Sequence, residues 1–417
     1  MNARSDVIDQ LHTTLAEHEG LRELLERSLA RTRERAEADL DDDLFEALEW
    51  PRNLAEYEQY LRRFLAWIPQ ESGDQAWKKQ DGGTTSSREI SDRLAHFFWL
   101  IDQKVGENNS AIGESYPAFR QWCTAFAREW GDFLDTPASF SPDILESFIT
   151  NSPEYTVEES MVGGRPNAPS GWLTFNQFFA RELNPGRRPI AAPATNLVVT
   201  SPADCSFQHS YAIGEDSQIP PTTVKGTHTY GSMDQLLEGS RFADTFAGGT
   251  FVHYMLPPWA YHRFHVPVSG RVEESFVIQG TVVMEVDLED HELVSSDATT
   301  TGFEFSQTRG VLTIDTTNSP GGNLGIVAVV PVGMSHVGSV VLTATPGTDL
   351  NKGDEFGYFQ FGGSDIIILF QAGVVTDVDT DPAPRKVGST VVRAAPYSNL
   401  TQSERSLQDR SPDEEVR

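Results

Sequence analysis

An α+β fold, helical at its N-terminal end and mainly antiparallel β beyond, is predicted by three features of this 417-residue chain. Apolar residues recur at steps of three and four through residues 1–150, the period of helices with one buried face. A stretch rich in Pro, Gly, Ser and Asn occupies 151–170. From 171 to 397, β-branched and aromatic runs alternate with turn residues, as in short paired strands.

The elements follow in order. From Asp6 to about Leu40, Glu, Arg, Leu and Ala at helical spacing predict one or two exposed amphipathic helices with a solvated face. Ser86 and Glu89 have capping-box spacing, and Ile90, Leu94, Phe97 and Ile101 continue it as a helical stripe. Phe119, Trp122, Phe126, Trp130 and Phe133 repeat that stripe, which is read as helix packing, not a cofactor site. Ser141 before Pro142 supplies an N-cap and a first-turn proline for a helix through Ile149. Gly163 to Pro169 suits a connector, which places a domain boundary at 151–170. Strands are predicted at Thr250 to Tyr254, Gly270 to Val277, Thr281 to Val286, Gly310 to Ile314, Leu324 to Val330 and Asp365 to Phe370. The polar end, 398–417, is predicted to be a disordered tail.

Composition bounds the function. With 38% hydrophobic residues the chain can bury a large core, and its length suggests two domains. A formal charge of -29 repels nucleic-acid phosphates, so nucleic acid is not an expected partner. Scarce lysine beside this acidity points to a salt-adapted source. Cys123 and Cys205 are too few for a disulfide scaffold and lack metal-ligand spacing, which predicts reduced thiols, a cytoplasmic protein and no metal. Nowhere do about 18 apolar residues run together, and the first residues are not a secretory signal. A soluble chain is expected, with peripheral membrane contact left open.

Three segments carry candidate chemistry. In Phe356 to Phe370, two glycines precede Ser364, a pattern that lets the backbone expose the Gly363 carbonyl to a neighbouring hydroxyl. Alone, Gly-Gly-Ser is most often a hairpin turn or bulge, and that is its favoured reading in isolation. Tyr261-His262-Arg263-Phe264-His265 offers two histidines, either an acid–base pair or a metal pair, although Pro257, Pro258 and Pro267 disfavour a long helix there. Asp204, in Ser201-Pro202-Ala203-Asp204, is by itself an Asx-turn residue.

In this order the segments resemble the phosphatidylserine decarboxylase family across roughly Leu173 to Phe370. The likeness includes Phe175 to Leu183 with Arg188-Pro189-Ile190, Pro202-Ala203-Asp204, Val224-Lys225-Gly226 with Tyr230 and Leu236-Leu237, and Tyr261 to His265. It closes with Val332-Gly333-Met334 to Val337-Gly338-Ser339, Lys352 to Phe359, and the Gly363-Ser364 junction.

The resemblance implies that Asp204 orients His265, that His265 takes the proton of Ser364, and that Ser364 attacks the Gly363 carbonyl, a division of labour shared with serine-nucleophile triads. Scission would leave a pyruvoyl group at Ser364 as the cofactor, with no pyridoxal phosphate and no metal. That carbonyl would form a Schiff base with a substrate amine and draw off the electron pair left by carbon dioxide. His262 would handle the substrate carboxylate or return the proton. The two cleaved chains would stay associated, and oligomers are compatible with the family. Two positions depart from it: Cys205, where glycine is usual, and Asp365, where threonine is common. Asp365 could favour a protonated imine, repel a substrate carboxylate, or point to the opposite face of its strand. The acidic helical front end resembles the L-tryptophan decarboxylase-like branch and favours a free amino acid, with phosphatidylserine the competing substrate. A processing-dead scaffold and a metal hydrolase built on the histidine pair are the readings from other classes.

Overall fold

The computed structural model describes residues 6–81, 84–106, 110–167, 171–224, 228–282, 284, 286–295, 305–333, 339–362 and 364–398. Gly363, Lys225, Gly226, the 334–338 portion of the Val332–Ser339 motif and all of the expected tail but Ser398 lie outside these residues.

Helices α1 (Val7–Glu17), α2 (Leu21–Asp39), α3 (Asp42–Ala47), α4 (Leu54–Leu65), α5 (Glu89–Ile101), α6 (Ile112–Ser115), α7 (Pro117–Leu134) and α8 (Pro142–Asn151) fill the N-terminal region. Two short helices, α9 (Phe175–Phe179) and α10 (Met233–Leu236), follow among the strands. Each amphipathic stripe turns inward: Val7, Ile8, Leu11 and Leu15 of α1 and Leu21, Leu25 and Leu29 of α2 are buried, so only their opposite faces are solvated. The α7 stripe buries Phe119, Trp122, Phe126 and Trp130, with Phe126 5.1 Å from the Phe97 ring and Trp130 5.0 Å from Phe64. At the start of α8, Ser141 Oγ accepts the Ile144 N–H at 3.3 Å and Pro142 is the first helical residue.

One local expectation fails. Ser86 does not cap α5, because it lies in the strand Thr84–Ser87, paired with Lys79. That pairing holds Ser86 extended, and α5 begins after Arg88 with no side-chain cap. Glu89 instead accepts from the Ser72 N–H at 3.0 Å and from Arg93 Nε at 2.9 Å.

The helical core does not stop at the expected connector. Residues 151–170 contain the 3-10 turns Pro153–Tyr155 and Val157–Ser160, and Tyr155 and Val157 are buried with the helices. Phe175, Phe178, Phe179, Phe361, Met284, Val286 and Leu293 join the same cluster. Val286 and Leu293 belong to a hairpin, Val286–Glu289 with Glu292–Ser295, that packs on α5. Of the strand expected at Thr281 to Val286, Thr281 makes a single bridge to Gln307 and Val286 opens this hairpin.

Beyond, a sheet of seven strands among the described residues runs in the order Asp349–Leu350, Gly270–Ile278, Arg309–Asp315, Ile326–Gly333, Ser364–Phe370, Thr250–Leu256 and Ser206–Ala212, every neighbour antiparallel. The Ser364–Phe370 strand is interior and buried on both faces. Ile366, Ile368 and Phe370 pack in one cluster with Phe264, Phe356 and Phe359, residues of a smaller sheet formed by Arg263–His265, Glu355–Phe359 and Val340–Leu342. Ile367 and Leu369 pack in another with Met233, Leu236 and Phe251. A one-residue slip would exchange the side chains packed on these two faces and carry Ser364 and Asp365 to opposite sides, so the chemistry at Ser364 depends on this register. No helix among the described residues is long and apolar enough to cross a membrane.

Candidate active site

Ser364 opens its strand opposite Gly333 on one side and Leu256 on the other. The residue is 1% exposed, and its Oγ has no hydrogen-bond partner among the described residues. Leaving a hydroxyl buried and unpaired costs about 1–3 kcal/mol, so such groups mark either a reacting atom or a missing partner. Just upstream, Gly362 has φ 141°, a conformation that residues with a Cβ rarely adopt. The orphaned Oγ and this permissive backbone fit a serine that is converted to a prosthetic carbonyl.

Strand alternation sends the next side chain away. Asp365 lies on the face of Ile367 and Leu369, where its Oδ2 is 3.4 Å from His253 Nε2, both residues fully buried. Of the three roles open to Asp365, only the opposite-face placement matches this geometry.

His262 precedes the Arg263–His265 strand and is fully buried. Its Nδ1 is 2.8 Å from the Ala260 carbonyl and must donate to it, which makes Nε2 the bare lone pair of a neutral imidazole. That Nε2 has no partner among the described residues. Burial, aided by the Arg181 charge, pushes the His262 pKa down to about 3. The Phe179 ring of α9 lies 4.0 Å away, fixing the imidazole plane.

His265 is differently held. Its Nδ1 donates to the Gly353 carbonyl at 2.8 Å, so Nε2 accepts from the Tyr261 hydroxyl at 3.1 Å. Burial lowers its pKa, opposed by the Gly353 bond and by the negative charge of Asp204. The Gly353 turn is secured by Lys352, whose Nζ donates to the Ala192 and Val198 carbonyls, both at 2.7 Å.

Asp204 accepts from Arg188 Nε at 2.9 Å, Arg188 Nη2 at 2.6 Å and the Val387 N–H at 2.8 Å. Arg188 also meets Glu159 at 2.8 Å, and Glu159 meets Lys386 at 3.1 Å. Asp204 therefore sits in the electrostatic field of His265 without a hydrogen bond to it among the described residues, and neither ring bonds Ser364 Oγ. Cys205, the other departure, is a buried thiol 3.3 Å from Ser201 Oγ, its pKa pushed up to about 12 chiefly by burial.

Sequence reasoning passed over Tyr261 and Arg188 as site residues, although both stand inside quoted motifs. His253 had no local signal, because its partner is 112 positions away and meets it only through strand register. A cavity of about 140 Å³ lies between α7 and the segment ahead of Ser364, lined by Arg128, Trp130, Asp132, Thr308, Ser339 and Gln360 among others. No group of three or more His, Cys, Asp or Glu side chains among the described residues converges to hold a metal.

Comparison with known proteins gives this arrangement a family. The phosphatidylserine decarboxylase family model matches residues 175–393. The chain is 32% identical over 290 residues to the phosphatidylserine decarboxylase proenzyme of Clostridium novyi, covering 67% of this chain and 88% of that one. It is 33% identical over 208 residues to phosphatidylserine decarboxylase proenzyme 2 of Oryza sativa subsp. japonica, covering 50% of this chain but only 31% of the longer relative. It is also 27% identical over 277 residues to decarboxylase iboD of Amanita muscaria, covering 61% and 77% of the two chains. The chain thus belongs to the phosphatidylserine decarboxylase family, whose members are pyruvoyl-dependent carboxy-lyases.

Proposed function

We propose that this chain is a proenzyme that cuts itself between Gly363 and Ser364 and then decarboxylates a free amine-bearing carboxylic acid, an aromatic amino acid being the favoured class. The observation that carries the first half is the buried, unpartnered Ser364 Oγ behind Gly362. A histidine removes the Oγ proton as Oγ attacks the Gly363 carbonyl carbon. The peptide C–N bond breaks and an ester forms. Elimination across the Ser364 Cα–Cβ bond frees the Gly363 carboxylate and leaves a dehydroalanine. Hydrolysis then releases ammonia. One water enters and one ammonia departs overall, and the shorter chain begins with a ketone. That ketone supplies an electron sink for the pair released with carbon dioxide.

Two assignments of the proton carrier compete. In the first, Asp204 and His265 act together with Ser364. Asp204 favours the charged ring, and His265 exchanges its Tyr261 bond for the serine. The bare Nε2 of His262 favours the second, in which His262 itself takes the proton. Cleavage rates of His262→Ala and His265→Ala separate the two. In the first assignment His262 serves the later step, handling the substrate carboxylate or returning the proton to the product.

A free amino acid is supported by the net charge of -29, which opposes an anionic bilayer. Only Ile149, Val162, Leu173 and Val294 are exposed large apolar side chains among the described residues, little area for docking on lipid. Helix α7 also walls the small cavity beside the cleavage segment. The names of the relatives make phosphatidylserine the competing substrate. Carbon dioxide release measured with free amino acids and with phosphatidylserine vesicles decides; release from the vesicles alone overturns the preference.

A further inference from the structure

The segment joining Glu355–Phe359 to the Ser364 strand is gripped by the helical region. Phe361 N–H, which no backbone carbonyl receives among the described residues, donates to Asn176 Oδ1 at 3.2 Å. Asn176 Nδ2 in turn donates to Asp135 Oδ1 at 3.0 Å and to the Gly131 carbonyl at 3.3 Å. Gln360 Nε2 reaches the same Asp135 oxygen at 3.4 Å. Asp135 is the C-cap of α7, its own N–H bonded to the Gly131 carbonyl at 3.1 Å, so the chain of bonds ends on a rigid helix terminus. The Phe361 ring is boxed edge-on by Trp130 of α7 at 5.4 Å and by Phe175 and Phe179 of α9, each at 5.1 Å. Phe179 is also the ring against His262.

We propose that Asn176 and Asp135 are positioning residues for self-cleavage, through which the helical region holds the backbone ahead of Ser364 in the geometry of attack. The inference rests on the self-cleavage reading and adds to it. The side-chain amide bridges two elements whose other contacts are ring packing and the long Gln360–Asp135 bond: the Asn176 oxygen fixes Phe361, three residues before the nucleophile, and the nitrogen fixes Asn176 itself. Attack by Ser364 Oγ requires close approach to the carbonyl just upstream, and small displacements at such distances reduce rates steeply. After scission the same bonds keep the new C-terminal end docked, because Phe361 stays on the longer chain.

The test follows conversion of freshly folded full-length proenzyme into two chains by gel and intact mass, with thermal unfolding measured alongside. Asn176→Ala is expected to slow conversion roughly 10- to 100-fold. Asn176→Asp keeps the acceptor for Phe361 but sets a carboxylate against Asp135, and is expected to be similarly slow. Combining it with Asp135→Asn restores a donor facing an acceptor, and conversion should return to within about threefold of the unaltered protein, a rescue that lost packing alone would not produce. Conversion of folded Asn176→Ala at the normal rate overturns the proposal. If that variant does not fold, the pair decides: a double variant no faster than Asn176→Asp alone overturns it. Failure of the unaltered protein to convert at all would instead remove the self-cleavage reading beneath it.

Discussion

His262 and His265 leave the same five-residue segment, yet their surroundings give them opposite chemical characters. His262 is sealed under Phe179, neutral, with one lone pair left bare. His265 has both ring nitrogens engaged, by Gly353 and Tyr261, and feels the charge of Asp204. Residue type and spacing could not separate them, since both are histidines that can move protons near neutrality. The difference lies in what each ring nitrogen touches: one is ready to accept a proton as it stands, and the other must first give up a bond.

The substitution that most severely tests any role for either histidine is Ser364→Ala. With no hydroxyl to attack, conversion should vanish, and two chains of normal size from that variant would end the account. Next come the two rings. If His265 is the base, His265→Ala should slow conversion by about 10²–10⁴-fold while His262→Ala still converts and decarboxylates poorly; the reverse order in a time course of the two variants assigns the proton to His262. Asp204→Asn should slow conversion about tenfold under the first assignment, because it removes the charge that favours a protonated His265. Under the second assignment it should leave the rate nearly unchanged.

The pH dependence sharpens the contrast further. A base with a pKa near 3 is already neutral across the ordinary range, so conversion through His262 should be nearly flat from about pH 5 to pH 8. The sign for stability follows from the same shift. The folded-state pKa of about 3 lies below the ordinary value of 6.5, so the unfolded chain binds the proton first as pH falls. Stability from the buried neutral ring is full above pH 6.5 and is lost between 6.5 and 3. His96, buried in the helical region and likewise pushed to about 3, adds loss over the same window. Unfolding midpoints over that range should fall, and His96→Gln should lessen the slope if the variant retains the core packing.

The smallest effect on cleavage is expected at Asp365. Its side chain lies on the face away from Ser364, so Asp365→Asn should change the conversion rate less than about threefold. It should nonetheless lower stability, by about 1–3 kcal/mol, because it alters the buried carboxylate that lies 3.4 Å from the His253 ring. Rate and unfolding free energy measured on the same sample check both halves.

Much of the fold was legible because its determinants are local. The α7 stripe, the Ser141–Pro142 start of α8 and the runs at Thr250, Gly270 and Asp365 each carry their own period, and the elements appear where it places them. Ser86 misled because strand pairing with Lys79 overrode a spacing that resembles a cap. Nothing local announced that Met284, Val286 and Leu293 would complete the helical core, since that depends on a hairpin returning to α5. Within the site, residue types pointed to Ser364, the two histidines and Asp204. Of the partners that set their states, Tyr261 is a near neighbour of His265 in sequence, while Gly353 and Arg188 reach His265 and Asp204 through tertiary contacts that no spacing rule encodes.

The central claim is scission at one peptide bond, and intact-mass measurement of the freshly purified, folded protein tests it most directly. Two chains are expected, the shorter beginning at position 364 with a ketone, their summed mass that of the full chain plus one water and minus one ammonia. A single species with the mass of the uncut chain, unchanged on incubation, would contradict it.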